Sequence, residues 1–364
     1  MPLLYDAVGI GMWAFTRIAF RVRELERERL RLEPGTLLVA THRRETDVPL
    51  VSAAIYVGGL VRDRSRRMAF AAREDIFTPG FLAGLPGLPT VARRALFDVE
   101  IGDVMQRSLL VFPLRSAAAA RLGEVLRARP EAPLDGFPAA DDFRARAAAL
   151  RLPSPRRARD VVRGEYADLL WRAMRREELP DPEVEAFWAG RAAASAAEFR
   201  HLVGLVERGG VVVVFPEGYP STTGEIGPLR RGLGALVRRG RPRLLQPIAL
   251  AYDPLTRGRT RAYVALGDAL DAADYSDERM LAALRAATPL TCGQVVAHEL
   301  VARRAPTAEH VAEAVAEARA QRRPFDPALA DPDERARRVG EAVAAAPGAD
   351  VSYLAREYES ARAI

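Results

Sequence analysis

Lysine is absent from this 364-residue chain, so its 54 basic side chains are all arginines. Abundant alanine, glycine and proline accompany them, a pattern of GC-rich coding that makes arginine frequency a poor guide to function. The 48 acidic residues are mixed among the arginines and leave a formal net charge of +6, with a pI of about 9.9. That balance suits anionic lipid or phosphate. Nucleic acid is not expected as a partner, because there is no long basic tract and no base-stacking motif. Cysteine occurs once, at Cys292, which excludes an internal disulfide framework and any cysteine-based zinc site. Histidine occurs four times, at His42, His201, His298 and His310. The stretch "HELVARR" from His298 lacks the second histidine of a helical zinc-protease site, so no metal is expected. Long apolar runs are missing too. "AVGIGMWAFTRIAF" (7–20) is too short to span a bilayer and is interrupted by Arg17. No basic n-region or clear small-residue cleavage site is present, so a cytoplasmic, reducing setting is expected. "GIG" at 9–11 has no third glycine and no preceding strand, which argues against a dinucleotide site.

What is present is apolar material in segments of two periods. Hydrophobic residues make up 49% of the chain, enough for a large core and for two units. "TLLVATH" reads as a buried strand, and "DVPLVSAAIYVGGL" as a helix with Asp47 near its start. Further strands are expected at Met68–Ala72, 108–116, 209–218, 243–253 and 260–268. "RVRELERERLRLEPG" (21–35) reads as a solvated linker or a short strand with a turn, and 79–90 as a Gly/Pro-rich apolar loop. Strands alternating with helical stretches imply an α/β layer with a parallel or mixed sheet. Residues of about 117–200, with Trp171 and Trp188, read as a helical insertion, and the region from about 275 onward is helical as well.

In such a sheet, ligand sites form where strands end and loops diverge. His42 stands at the end of one apolar strand, with Asp47 five residues on. An imidazole is the natural general base near neutral pH, and a carboxylate at the first turn of the next helix can turn back to fix its tautomer. The bland alternative is that Asp47 only caps the helix. After the apolar strand "VVVVF", Glu217 lies at the sheet edge rather than on a solvated face. Gly218 beside it lets the backbone turn and a ligand approach closely. Glu217 is placed to bind a hydroxyl or to position Arg115, itself at a strand end. Arg230 and Arg231, in "GPLRRGLG", suit a phosphate contact or a solvated loop equally.

Taken together, these stretches resemble the motifs of the glycerolipid acyltransferase superfamily. "THRRETD" is similar to its His-x4-Asp motif. "VFPLRS" is similar to its second motif, in which a phenylalanine (here Phe112) and an arginine three residues later (here Arg115) help to bind the acceptor's phosphate. "VFPEGYPS" resembles its Phe-Pro-Glu-Gly motif, and "LLQPIALAYD" its fourth, an apolar strand with a proline. The order along the chain is also the same, over roughly residues 20–115 and 200–270. The chain departs from the pattern at Tyr219 and Pro220, where Thr and Arg are usual, which makes Arg230 and Arg231 the candidates to replace that arginine. Leu109 stands where glycine is frequent, and the insertion at about 117–200 is longer than the usual connection.

The resemblance implies an acyltransferase-type mixed sheet flanked by helices over 31–270, preceded by an amphipathic segment (1–30) and followed by a helical region (271–364). It implies transfer of an acyl group from acyl-CoA or acyl-carrier protein to a hydroxyl of a phosphorylated glycerol or lysolipid, with no other cofactor. His42 would be the base and Asp47 its orienting partner. Arg115 and Phe112 would hold the phosphate, with Arg230 and Arg231, and Glu217 and Gly218 would order the acceptor pocket. "FPEG" favours lysophosphatidate as acceptor, whereas "PLRS" and "ALAYD" lean to glycerol 3-phosphate. A catalytically silent membrane-bound scaffold is the alternative of another class, and a hydrolase built on Cys292 and His298 a weaker one, since six residues place them on different helical faces. The expected location is peripheral, on the cytoplasmic face of the cell membrane. Contact there is made by residues 1–23, with Trp13, Phe15, Phe20 and nearby arginines, or by the 79–90 loop or the insertion if the first helix packs on the core instead.

Overall fold

The computed structural model describes residues 2–55, 67–78, 81–84, 89–97, 99–178 and 182–362. It contains ten strands among them: β1 (Arg21–Leu25), β2 (Thr36–Ala40), β3 (Met68–Arg73), β4 (Val111–Leu114), β5 (Ala119–Arg121), β6 (Ala173–Arg175), β7 (Val211–Val214), β8 (Leu244–Asp253), β9 (Arg261–Leu266) and β10 (Leu270–Asp271). The chain forms two compact units, Met1–Phe70 with Leu202–Ile364, and Ala71–His201. Half of the expected 79–90 loop, and the end of the helix after Ile55, lie outside the described residues.

The first unit is built on a mixed sheet in the order β1-β9-β8-β2-β7-β3. β2 runs parallel to both β7 and β8, with Leu37 opposite Val212 and Leu245. β3 is parallel to β7, and β1 to β9, whereas β9 and β10 are antiparallel to β8. Every residue of "TLLVA" and "VVVV" is buried, as a strand covered on both faces requires. Pro247 sits inside β8 without breaking it. On one flank β8 pairs with β10 at Leu244 and Leu245, and with β9 from Ile248 onward. The missing N–H of a proline is tolerated at that change of partner. The Pro247 carbonyl still accepts from Gly267 at 3.0 Å, and the Gln246 amide bridges the carbonyls of Pro247 and Gly267.

Residues 21–25 form a strand rather than a solvated linker. The turn after it closes at Gly35, whose φ of 79° is accessible to glycine at little cost. The helix Pro2–Ala19 lies against the helix Asp47–Ile55. Its inward stripe includes Tyr5 and Thr16, and the Tyr5 hydroxyl exchanges hydrogen bonds with the main chain of Met68 at 3.1 Å. The opposite face leaves Leu3 76%, Ile10 57%, Phe15 48% and Ile18 73% exposed. Beyond the sheet, helices Cys292–Val301, Ala308–Ala320, Pro332–Ala345 and Val351–Arg362 pack around Leu255, Val296, Val311, Ala342 and Leu354, giving the helical C-terminal region. Asp326 ties this layer to β9, accepting from Tyr263 Oη at 2.5 Å and pairing with the buried Arg338.

The second unit is mainly helical around Leu122, Leu126, Phe143, Tyr166, Met174 and Trp188. It also contains an antiparallel ribbon of β5 and β6 that the helical periodicity did not reveal. The strand expected at 108–116 is shorter. A helix, Gly102–Leu109, takes its first residues and ends at Leu110 in the left-handed region (φ 55°), before β4 begins. Three-residue ribbon strands and helix caps of this kind are set by partners distant in sequence, which local pattern does not report.

Candidate active site

His42 follows the last residues of β2, where Thr41 locks the strand end to β8. The Thr41 N–H donates to the Ile248 carbonyl, and its hydroxyl accepts from Leu250 at 2.9 Å. The imidazole is 8% exposed and lies against Phe215, ring centroids 4.8 Å apart. Asp47, the first residue of its helix, is fully buried. Its Oδ2 meets His42 Nδ1 at 2.9 Å and accepts from the main-chain N–H groups of Arg43 and of Arg44, the latter at 2.8 Å. Asp47 therefore reaches back across the loop instead of capping its own helix. Its Oδ1 accepts from the Tyr252 hydroxyl at 2.6 Å. With Nδ1 facing a carboxylate, the ring carries its proton there, and among the described residues Nε2 has no hydrogen-bond partner. Such a pair can accept a proton at Nε2 and stabilise the resulting imidazolium.

Glu217 supports the same loop from β7. Its Oε1 accepts the His42 main-chain N–H at 2.8 Å and its Oε2 that of Gly227 at 3.2 Å. Burial pushes its carboxyl up, and the Arg43 guanidinium pulls the other way. Gly218 turns the chain at φ 79°, and a Cβ there would stand 3.2 Å from Arg230 Nε. Arg230, exposed, donates from Nε to the Glu217 carbonyl and lies 5.5 Å over the Tyr219 ring. Arg231 is the exposed first residue of the next helix. Structure thus brings His42, Asp47, Glu217, Gly218 and Arg230 together in one unit.

Phe112 and Arg115 belong to the second unit. Phe112 packs on His201 with ring centroids 4.6 Å apart. Within that unit the partner of Arg115 is Glu198. The carboxylate accepts the Arg115 main-chain N–H at 2.9 Å and faces Nε at 3.0 Å. Nearby, the buried Arg191 gathers Glu74 and Glu124, and burial pushes Glu74 up to about 7.

Three contributors escaped the sequence reading. Tyr252 is one, although "ALAYD" contains it. Arg43 is another: buried inside "THRRETD", it donates to the Gly224 carbonyl at 2.8 Å and the Glu225 carbonyl at 3.2 Å. Burial lowers its pKa, but Glu357, Tyr353, Glu217 and Asp47 outweigh that and raise it. Glu357, fully buried on the last helix, faces Arg43 Nε at 3.4 Å, an ion contact rather than a hydrogen bond. No local pattern marks a residue more than 300 positions away as a partner of the loop. Cys292 lies outside this cluster, and burial pushes its thiol well up, the opposite of what a nucleophilic cysteine needs. Among the described residues no group of three or more His, Cys, Asp or Glu side chains is arranged to hold a metal ion.

No protein-family model matches the chain, and no curated protein does. Among solved structures, the crystal structure of the 1-acyl-sn-glycerophosphate (LPA) acyltransferase from Thermotoga maritima is similar, at 13% identity over 76% of this chain and 74% of that one. The TM-score is 0.38. At that similarity the likeness assigns no residue a role.

Proposed function

We propose that this protein is an O-acyltransferase that moves a fatty acyl group from acyl-CoA or acyl-carrier protein to a hydroxyl of a glycerol phosphate acceptor in phospholipid synthesis. Lysophosphatidate is the first acceptor expected, and glycerol 3-phosphate the alternative. The observation that carries this reading is the buried His42–Asp47 pair at a strand end, with Nδ1 held by the carboxylate and Nε2 without a partner among the described residues. The motif order along the chain supports it. His42 Nε2 takes the proton of the acceptor hydroxyl as its oxygen attacks the thioester carbonyl. The tetrahedral intermediate collapses, the C–S bond breaks, and the imidazolium returns the proton to the thiolate. An ester and a free thiol result. Glu217 orders the loop that carries Gly218 and Arg230 and leads into the helix begun by Arg231. Arg115, with Phe112 close in sequence, holds the acceptor phosphate, which would replace Glu198 as its counter-ion. Purified protein with acyl-CoA, given lysophosphatidate and glycerol 3-phosphate separately, should form ester product with one of them. No free thiol release with either acceptor, from acyl-CoA or from acyl-carrier protein, would overturn the reading and leave the scaffold alternative.

Substrates of this kind partition into bilayers, so the working place we propose is a membrane surface on the cytoplasmic side. No described helix is long and apolar enough to cross a membrane. The outward apolar face of Pro2–Ala19 suits an interfacial contact, with Arg17 and the following arginines near anionic head groups. Deleting residues 1–23 would also remove Tyr5 and most of β1 from the core, so surface substitutions make the cleaner test. Ile10→Ser with Phe15→Ser and Ile18→Ser should lose most flotation with anionic vesicles while keeping the melting temperature. Unchanged flotation would move the contact to the 79–90 loop or the second unit.

A further inference from the structure

The fourth strand motif ends in "AYD", and its tyrosine reaches the centre of the site. Tyr252, buried at the end of β8, points its hydroxyl at Asp47 Oδ1 over 2.6 Å and stands 2.9 Å from Thr46 Oγ1. An ionised carboxylate only accepts, so Tyr252 gives its single proton to Asp47 and Thr46 donates to the phenol oxygen. Burial, with the facing carboxylate, pushes the phenol well up, which keeps that proton in place at any working pH. Arg44 covers the ring at 4.5 Å.

We infer that Tyr252 is a positioning residue of the reaction: its hydroxyl donates to Asp47 and thereby fixes the orientation of that carboxylate and the negative charge it presents to His42. The inference rests on the acyltransferase reading for its role in turnover, but not for its effect on the histidine. Asp47 has four donors: the His42 ring, the amides of Arg43 and Arg44, and Tyr252. The two amides and the imidazole share Oδ2. Among the described residues Tyr252 is the donor to Oδ1, so it fixes the rotation of the carboxylate as well as sharing its charge. The other charged or titratable groups facing this cluster are the guanidinium groups of Arg43 and Arg44 and the side chains of Glu217, Glu357 and Tyr353. None of these contacts is touched by removing the Tyr252 oxygen alone.

The test is Tyr252→Phe in the full chain. Without the phenol proton more negative charge stays on Asp47, and the imidazolium opposite is favoured. The acidic limb of kcat/KM against pH should move up by about 0.5–1 unit, a three- to tenfold change in proton affinity. Freed of its Oδ1 partner, the carboxylate holds the imidazole less firmly in line, so kcat should fall about tenfold with KM for both substrates nearly unchanged, as a loss confined to the chemical step predicts. A limb and kcat equal to those of the parent protein would overturn the inference and leave Tyr252 as core packing. Histidine labelled with ¹³C at Cε1 gives a readout that needs no turnover, with the His42 resonance identified by His42→Gln. An upward shift of its titration midpoint in Tyr252→Phe supports the inference even if no acceptor is ever esterified, and an unmoved midpoint overturns it. If Tyr252→Phe does not fold, Thr46→Val weakens the same donor chain. It should move the midpoint in the same direction by less, and no movement would overturn the inference.

Discussion

His42→Ala should lower acyl transfer by about 10²–10⁴-fold, the usual contribution of a positioned general base. The fold should survive, because the loop is held by main-chain bonds that alanine retains: the residue 42 N–H to Glu217 and the residue 42 carbonyl accepting from Ser221 at 2.8 Å. Melting temperature and kcat measured on the same preparation separate the two effects. A well-folded variant with near-parent turnover would remove His42 from the chemistry and the proposed mechanism with it. Asp47→Asn sharpens the point. Because Oδ2 already serves two amides and the imidazole, the carboxamide oxygen should take that place and turn its NH₂ to Tyr252. The ring then keeps its tautomer and loses only the facing charge. A drop of about ten- to hundredfold, the worth of a charge-assisted contact, is expected rather than complete loss.

Arg115→Ala should raise the KM of the phosphorylated acceptor about ten- to hundredfold, from the loss of a charge-assisted contact of about 1.5–3 kcal/mol. The KM of the acyl thioester should stay near its parent value. Glu198 makes the experiment informative, since it supplies Arg115 with a counter-ion when no phosphate is bound. If the thioester KM moves instead, Arg115 serves the donor side. Circular dichroism controls for the lost Glu198 pair, since Glu198 still receives the main-chain N–H at this position.

The sequence by itself determined the strand cores and the polar residues at their ends. β2, β7, β8 and β9 fall within the expected segments because short, largely apolar runs bounded by turn residues suit a strand covered on both faces. Helix Asp47–Ile55 starts at the residue its pattern marked, and Gly218 carries the positive φ that its turn required. His42 and Asp47 were legible as a pair because a spacing of five positions suits a strand-end histidine and a carboxylate at a first helical turn.

Only the tertiary structure decided who supports that pair. Glu217 holds the main chain of His42 across 175 residues, and Tyr252 holds Asp47 across 205. Glu357, on the last helix, balances Arg43, and that helix lies so close to the 221–227 loop that a Cβ at Gly224 would collide with the Tyr353 carbonyl. The partner of Arg115, the β5–β6 ribbon and the helix before β4 were likewise invisible beforehand. Local periodicity records whether a side chain faces a core, not which distant chain segment completes it. A buried polar group is silent about its partner until folding brings the two together, and desolvation then makes that partner obligatory.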